Sequence, residues 1–201
     1  MPDARLAEKA DKPARGRPRD GAVDTAILDA TERSLATRGY EAMTVEQVAV
    51  AAGVSKPTIY LRYRSKAELV EAMIERLRPP LPSPDGASAR DELVSLVQQQ
   101  EEWVDRHGLR LVAAVLLEEA DHPELLRRFR ERVVEPARAA FRAALRAGVA
   151  RGELRPGADG DEVIDALTGA YWGRAWTTGG APRPHWAEHV VDALIAGLRA
   201  P

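Results

Sequence analysis

The segment Thr44–Lys66, TVEQVAVAAGVSKPTIYLRYRSK, decides the fold of this chain. Its apolar spacing predicts a short helix over 45–52, with Thr44 as the N-cap, and a second helix over about 56–63. Gly53 lies between them, where it ends the first helix and permits a tight turn. Helix, glycine-containing turn and helix form a helix-turn-helix unit, an arrangement that presents its second helix to the major groove of DNA.

Polar side chains on the outward positions of this unit are suited to contact with phosphates and base edges. These outward donors are Lys56, Thr58, Tyr60 and Arg62. Lys66 opens a further helix that begins at about Ser65 and continues to about Arg78. There its ammonium and the free N–H groups of the first turn could hold one phosphate together. The alternative is an ordinary corner between two helices with a polar surface.

The rest of the chain repeats apolar residues at three- and four-residue spacing, which predicts an all-α protein. Four prolines between 79 and 84, followed by Gly86, mark the clearest break. We therefore expect a disordered basic arm at 1–19, a helix-turn-helix domain at 20–78, a linker at 79–87 and a second helical domain at 88–201. The predicted helices of that second domain are 88–106, 108–120, 123–151 with a kink or split at Pro136, 161–178 and 186–199.

Composition excludes several classes of protein. The 201 residues include no cysteine, which excludes disulfides and cysteine-held zinc or iron–sulfur sites. The longest strictly apolar run, 111–117, is far shorter than the about 20 residues that span a bilayer, and the N-terminus lacks the apolar stretch of a secretory signal. We therefore expect a cytoplasmic protein with no membrane partner. The formal net charge of −2 hides two basic stretches, 5–19 and 53–66, which suit a small DNA-binding unit.

The run GVSKPTIYLRYRSK at 53–66, with TVEQVAVAA before it and AELVEAM after it, resembles the signature of the TetR family of bacterial transcription regulators. Specific motifs cover roughly residues 20–78, and the remainder is similar in helix count, length and the phrases HPEL and RGELRP. The resemblance implies an all-α homodimer with an N-terminal DNA-binding domain. It also implies a larger C-terminal domain for ligand binding and dimerisation.

The resemblance further implies which residues contact double-stranded operator DNA. Positions that match Lys56 and Pro57 reach bases in the family. The positions that mostly hold phosphates match Thr44, Thr58, Tyr60 and Lys66, and Arg62 is open to either role. The chain departs from the family pattern at Leu61 and Arg62. The complete expected set in this domain is Thr44, Ser55, Lys56, Pro57, Thr58, Tyr60, Arg62 and Lys66.

A second DNA-binding signal precedes this domain at 15–19, Arg-Gly-Arg-Pro-Arg. It resembles the core of an AT-hook, whose extended backbone lets flanking arginines enter a narrow minor groove. We expect Arg15, Arg17 and Arg19 to contact the minor groove beside each half-site. The alternative is a tail that only improves solubility.

Aromatic and apolar side chains of the second domain predict a ligand cavity and a dimer interface. The expected effector is an unidentified, largely apolar small molecule, although each aromatic residue could instead fill the core or an interface. The predicted cavity residues are Trp103, Val112, Leu116, Phe141, Tyr171, Trp172 and Trp176. Two chains that each contribute their last two helices would form a four-helix interface. Its predicted residues are Val163, Leu167, Ala170, Trp186, Val190, Leu194 and Leu198.

We expect no catalytic site. His185-Trp-Ala-Glu188-His189 matches an inverted zinc-protease motif, but no glutamate follows Glu188 to complete a zinc site. Nucleotide and phosphate-binding motifs are missing as well, so we expect no metal, no cofactor and no enzymatic activity. The favoured function is a transcription regulator, usually a repressor, that a ligand releases from a palindromic operator. The alternative is a DNA-organising protein of the same fold without a ligand and with broad sequence tolerance.

Overall fold

The computed structural model describes residues 21–79, 88–178 and 183–199. Within these ranges every regular element is a helix, apart from one isolated antiparallel bridge between Leu154 and Arg199. The predicted all-α class is therefore confirmed. None of the helices in these ranges is both long enough and apolar enough to cross a membrane. The predicted arm, and the predicted linker apart from Pro79, lie outside the described residues.

Four helices form the N-terminal part of the fold. Their bounds are α1 Gly21–Ala42, α2 Val45–Ala52, α3 Lys56–Tyr60 and α4 Lys66–Arg76. An interruption occurs in α1 at Gly39, whose φ of 76° lies in the left-handed region that favours glycine. Buried Ile27, Ala30 and Leu35 lie on α1, which packs against α2, α4 and α6, and α3 packs on α2.

Six further α-helices and one π-helical segment follow in the described part of the chain. Their bounds are α5 Ala89–His107, α6 Leu109–Leu117, α7 Pro123–Phe129, the π-helical segment Arg130–Val134, α8 Glu135–Ala150, α9 Asp161–Thr178 and α10 Trp186–Ile195. Because α5 packs against α8, α9 and α10, it is the central helix of the C-terminal part.

The buried apolar side chains form two clusters. The first core cluster combines α1–α4 with α6, α7 and the π-helical segment, so Leu111 and Phe129 pack in the same core as Leu35 and Met73. The second core cluster combines α5, α8, α9 and α10 around side chains such as Phe141. Helices from beyond the proline-rich break thus pack directly on α1 and α4 of the N-terminal part. The domain limits that the prolines suggest remain a prediction.

The helix predicted over 123–151, with a kink or split at Pro136, instead runs without a gap and changes type immediately before that residue. The backbone N–H of Glu135 donates to the carbonyl of Arg130, five residues earlier, which is the wider π-helical pattern. Proline has no N–H, and in a regular helix its ring clashes with the carbonyl four residues earlier. The π-helical segment therefore gives Pro136 a position in the first turn of α8.

Three predicted helix ends need correction. Helix α6 ends at Leu117 rather than at about 120, because Glu118 leaves the helical conformation. The recognition helix α3 ends at Tyr60 rather than at about Tyr63, because the N–H groups of Arg62 and Tyr63 both donate to the Ile59 carbonyl in a tight turn. The last helix, α10, ends at Ile195 rather than at about 199. Beyond it the chain leaves the helix, and the Leu198 carbonyl accepts a hydrogen bond from the Arg155 N–H at 2.8 Å.

Candidate nucleic-acid interface and ligand cavity

Both short helices of the helix-turn-helix begin at a capping side chain. Thr44 Oγ1 accepts from the Gln47 N–H at 3.3 Å, and Gln47 Oε1 accepts from the Thr44 N–H at 3.1 Å, so Thr44 is the N-cap as predicted and forms a capping box with Gln47. Gly53 has a φ of 67°, as the tight turn requires. Ser55 Oγ accepts from the Thr58 N–H at 3.3 Å and caps α3. Contact of either cap with a phosphate remains a prediction.

Lys56 and Tyr60, which were predicted to face outward from α3, are exposed. Thr58, which was also predicted to face outward, is instead half-buried, and its hydroxyl lies 2.8 Å from Ser55 Oγ. Leu61 follows the helix directly and is 84% exposed. The surface that α3 offers to a DNA groove therefore combines an ammonium group, a phenol hydroxyl and apolar groups. The exposed residues that form this surface are Lys56, Pro57, Tyr60 and Leu61.

The ammonium group of Lys56 is paired with a carboxylate. It forms an ion pair with Glu46 of α2, and it lies 5.6 Å from the centre of the Tyr60 ring. Their hydrogen bond lowers the pKa of Glu46 and raises the pKa of Lys56, so both groups are charged at neutral pH. This pair joins residues ten positions apart and was not predicted from the sequence. The available signal was that Glu46 is the single acidic residue of the segment 44–66.

Arg62 joins the end of the recognition helix to α1. Its Nε donates to Asp24 Oδ1 at 2.7 Å, and its guanidinium also donates to the Thr58 carbonyl at 3.2 Å. The side chain is only 19% exposed. A DNA contact by Arg62 would therefore compete with its contacts inside the protein.

Lys66 joins the start of α4 to the last turn of α1. Ser65 Oγ caps α4 by accepting from the Glu68 N–H at 3.1 Å. The Lys66 ammonium donates to the Tyr40 carbonyl at 2.9 Å and lies 4.2 Å from the centre of the Tyr40 ring. The half-buried Lys66 thus has a structural contact beside the helix start where a phosphate contact is predicted. The predicted minor-groove residues Arg15, Arg17 and Arg19 lie outside the described residues.

A cavity of about 190 Å³ lies between α5, the π-helical segment, α8 and α9. Three predicted ligand residues, Trp103, Phe141 and Trp172, line it. Its walls are mainly apolar, and a few polar side chains interrupt them, as is usual for small-molecule sites. Further lining residues include Leu96, Gln99, Gln100, Phe129, Val133, Ala137 and Thr168.

The other four predicted cavity residues lie elsewhere. Val112 packs against the first core cluster and Leu116 is exposed, because α6 packs mainly on α1. Tyr171 is buried with its ring 5.8 Å from that of Trp172, but it does not line the cavity. Trp176, one turn beyond Trp172, is 73% exposed. The prediction that these four residues line the cavity is therefore corrected, since all four lie outside it.

Trp103 connects the cavity wall to the helices of the DNA-binding unit. Its indole N–H donates at 2.7 Å to the carbonyl of Leu77, the residue directly after α4. The Trp103 ring centre lies 4.8 Å from that of His107, whose Nδ1 is 2.7 Å from a carboxylate oxygen of Glu32 in α1. One wall of the cavity is therefore in contact with α1 and with the end of α4.

Several apolar side chains of α9 and α10 are only partly buried, and some of them also pack against the second core cluster. Leu167 was predicted to belong to the dimer interface, but it is fully buried in the second core cluster and is unavailable to a partner chain. Leu198 lies after α10 and not on its helical stripe. The predicted interface residues that remain half-exposed on the two helices are Val163, Ala170, Trp186, Val190 and Leu194.

The segment His185-Trp-Ala-Glu188-His189, which matches an inverted zinc-protease motif, lies at the start of α10. His185 Nδ1 lies 3.4 Å from Glu188 Oε1 on the first turn of α10. Across residues 21–79, 88–178 and 183–199, no three histidine, aspartate or glutamate side chains lie together so that they could hold a metal ion.

Comparisons with known proteins match both parts of the chain. The family described as "Bacterial regulatory proteins, tetR family" matches residues 27–73, and "Tetracyclin repressor-like, C-terminal domain" matches residues 83–194. The HTH-type transcriptional regulator YdeS of Bacillus subtilis (strain 168) is 31% identical over 191 residues, which cover 92% of this chain and 94% of YdeS. The DNA-binding transcriptional repressor TetR of Mycobacteroides abscessus is 27% identical over 199 residues, which cover 94% and 97% of the two chains.

Solved structures share the fold. The transcriptional regulator FadR from Bacillus subtilis, in complex with stearoyl-CoA, matches with a TM-score of 0.67 at 18% identity, over 87% of this chain and 99% of FadR. A TetR transcription regulator from Haloarcula marismortui matches with a TM-score of 0.68 at 20% identity, over 89% and 99% of the two chains. The helix-turn-helix geometry agrees with both family matches and with relatives that are similar over nearly their whole length. The chain therefore belongs to the TetR family, and it is a DNA-binding regulator of transcription rather than an enzyme.

Proposed function

We propose that this protein is a repressor that binds a palindromic operator as a homodimer and leaves it when a small, largely apolar ligand enters the cavity. The observation that carries the proposal is a continuous route from the DNA-facing surface to the cavity. Helix α4 begins beside that surface at Lys66, and the residue after its end, Leu77, accepts a hydrogen bond from Trp103 in the cavity wall. The protein would act in the cytoplasm of a bacterium, at the nucleoid while it is bound to DNA.

In this proposal α3 enters the major groove. Lys56 and Pro57, at the exposed start of α3, contact base edges, and the Tyr60 hydroxyl and the Lys66 ammonium contact phosphates. The capping residues Thr44 and Ser55 lie at helix starts, where N–H groups favour an anion. Further proposed contacts are those of Thr58 and Arg62, and of Arg15, Arg17 and Arg19 in the minor groove.

Dimerisation through α9 and α10 is supported by the surfaces of these two helices. Val163, Ala170, Val190 and Leu194 are apolar and only half-buried within the protomer. Two helices from each chain would bury these side chains in a four-helix interface. The dimer would place its two α3 helices in successive major grooves, about 34 Å apart.

The cavity suits a small ligand with apolar groups and one or two hydrogen-bonding atoms. Trp103 and Trp172 offer aromatic walls, and Gln99 and Thr168 offer polar groups that orient a ligand. A ligand that moves the Trp103 ring would disturb its hydrogen bond to Leu77 and thereby shift the end of α4. Such a ligand would favour a dimer whose two α3 helices no longer match successive grooves.

The experiment begins with selection of bound sequences from random duplexes by the full-length protein. We expect a palindrome, and binding is then measured by fluorescence anisotropy while N-phenyl-1-naphthylamine, an uncharged apolar fluorophore, is added. Fluorophore bound in the cavity should lower operator affinity at least severalfold. In the variant Ala137→Phe, which fills part of the cavity, the same concentration should have a much smaller effect.

Two results would contradict parts of this proposal. Equal affinity for every duplex would favour a DNA-organising protein of the same fold. The second result is that the fluorophore binds the wild-type protein but not Ala137→Phe, and that operator affinity nevertheless stays unchanged. This result would show that the cavity does not control DNA binding.

A further inference from the structure

The ion pair between Glu46 and Lys56 places a negative charge on a surface that is proposed to meet a polyanion. Both side chains are substantially exposed, with 57% of Glu46 and 45% of Lys56 accessible. No other acidic residue occurs between 44 and 66. A carboxylate near phosphates opposes binding by Coulomb repulsion. Its position at the start of α2, directly against the base-facing start of α3, therefore needs a physical explanation.

The pair restrains Lys56. A lysine side chain is flexible, and its ammonium donates to any nearby phosphate, so a free Lys56 would bind many duplexes equally. Here the Glu46 carboxylate contacts the ammonium from one side, and the Tyr60 ring centre lies 5.6 Å from it. Because their mutual hydrogen bond lowers the pKa of Glu46 and raises the pKa of Lys56, the pair keeps both charges at neutral pH.

A donor held beside an acceptor matches the major-groove edge of a G·C pair better than that of an A·T pair. In a G·C pair, guanine offers the acceptors O6 and N7, and cytosine offers the N4 amino group as a donor. Lysine donates to guanine O6 and N7, and glutamate accepts from cytosine N4. In an A·T pair adenine offers one acceptor, N7, beside its N6 amino donor, and thymine offers an O4 acceptor and a methyl group. Lysine therefore finds one acceptor on adenine instead of the two on guanine, and the carboxylate, which could accept only from adenine N6, meets no donor on thymine.

We infer that Glu46 is a specificity-determining residue, which together with Lys56 selects a G·C pair at one position of each operator half-site. This inference rests on the proposed function, because it requires the start of α3 to face base edges. Glu46 has two effects in this arrangement. It contacts the cytosine amino group directly, and it keeps Lys56 away from phosphates.

The variant Glu46→Ala tests both effects. We expect its preference for G·C over A·T at that position to fall by about tenfold, within the range measured for loss of one good base contact. We also expect tighter binding to unrelated duplexes and a salt dependence that is steeper by about one phosphate contact, because the released Lys56 can bind a phosphate. The measurements are sequence selection and affinity for matched duplexes at several salt concentrations.

Two controls separate these effects from a general change of charge or fold. Glu75→Ala removes another exposed glutamate that is ion-paired, with Arg132 at 3.0 Å, on α4 rather than on the α2–α3 surface. It should leave the preferred sequence unchanged. In a Lys56→Ala background, Glu46→Ala should no longer steepen the salt dependence, since the lysine it releases is absent.

The inference and the proposed function fail in different ways. If Glu46→Ala shows the same base preference and the same salt dependence as the control Glu75→Ala, the role of Glu46 is overturned. Sequence-specific binding by the protein still stands in that case. If Glu46→Ala steepens the salt dependence equally with and without Lys56, the restraint of Lys56 is overturned. If the wild-type protein selects no sequence, the proposed function itself is overturned, and the role of Glu46 with it.

Discussion

At the scale of single residues, side chains near the proposed DNA surface also hold the fold together. Lys66 is the clearest case, because its ammonium contacts both the carbonyl and the ring of Tyr40. A cation over an aromatic ring at a partly exposed site stabilises by roughly 0.5–1 kcal/mol. The same ammonium lies at the start of α4, where the capped first turn favours an anion. Its substitution should therefore affect both stability and DNA binding.

We expect Lys66→Ala to weaken binding to specific and unrelated duplexes by a similar factor, because a phosphate contact carries no sequence information. The dependence of affinity on salt should become shallower by about one phosphate contact. The free energy of unfolding should fall by roughly 0.5–1 kcal/mol from the lost contact with Tyr40. Titrations at several salt concentrations and urea unfolding measure these effects. A changed sequence preference with an unchanged salt dependence would contradict the phosphate contact.

Local contacts of single residues could be predicted from the sequence, whereas distant ones could not. The caps formed by Thr44 and Ser65 involve partners three residues away, so spacing alone indicates them. The hydrogen bond from Arg62 joins it to Asp24, 38 residues earlier in the chain. Only the packing of α1 on α2, and of α2 on α3, brings these two side chains together, and no short motif encodes that packing.

At the scale of elements, a cluster around His122 joins the start of α7 to the last turn of α1. His122 Nε2 lies 2.5 Å from Glu41 Oε1, and its Nδ1 lies 3.4 Å from Glu124. The Tyr40 ring packs edge-on against the imidazole at 4.5 Å. The hydrogen bond with Glu41 raises the pKa of His122, and the nearby carboxylates of Glu124 and Glu118 raise it further. The same hydrogen bond lowers the pKa of Glu41.

We expect His122→Gln to reduce the free energy of unfolding more at pH 6 than at pH 8. A pKa raised in the folded state stabilises the protein below the unfolded-state pKa, and that contribution is lost as pH rises through the folded-state pKa. The lowered pKa of Glu41 has the opposite sign, so its contribution is lost as the solution becomes more acidic. Urea unfolding at both pH values gives the comparison. An equal loss at pH 6 and pH 8 would show that the imidazole charge does not link the two helices.

The ends of helices could be predicted from the sequence where a capping residue, a glycine or a proline marks them. The contacts that side chains make with other helices could not be predicted in this way. The bounds of α2 follow from a cap and a glycine, and the change of helix type follows from Pro136. The end of α10 depends instead on a hydrogen bond with Arg155, 43 residues before Leu198. Arg138 and Arg142 lie four residues apart on α8, and their guanidinium groups bind carboxylates of α9 at 2.5 and 2.6 Å, which helical spacing alone does not reveal.

At the scale of the whole molecule, the two core clusters meet where Trp103 lies. Its side chain packs against the first core cluster and lines the cavity, and its N–H binds the carbonyl after α4. The cavity residues could be predicted only in part, since helical spacing identifies an apolar side but not the helix that covers it. This is why Trp172 lines the cavity and Trp176, one turn later, is exposed.

We expect Leu194→Asp to produce monomers that no longer bind the operator, because a carboxylate at the proposed interface cannot be buried without a partner. Sedimentation velocity measures the assembly, and circular dichroism should show nearly normal helix content. Leu117→Asp is the matched control, since Leu117 is 81% exposed and lies on α6 rather than on α9 or α10. An unchanged dimer for Leu194→Asp would move the interface to another surface.

We propose that one dimer contacts two major grooves on the same side of the duplex. The most direct measurement compares affinity for the selected palindrome with affinity for the same palindrome after insertion of about five base pairs between its half-sites. That insertion is half a helical turn and moves one half-site to the opposite side of the duplex. We expect affinity to fall to that of an unrelated duplex. Equal affinity for the two duplexes would contradict the claim.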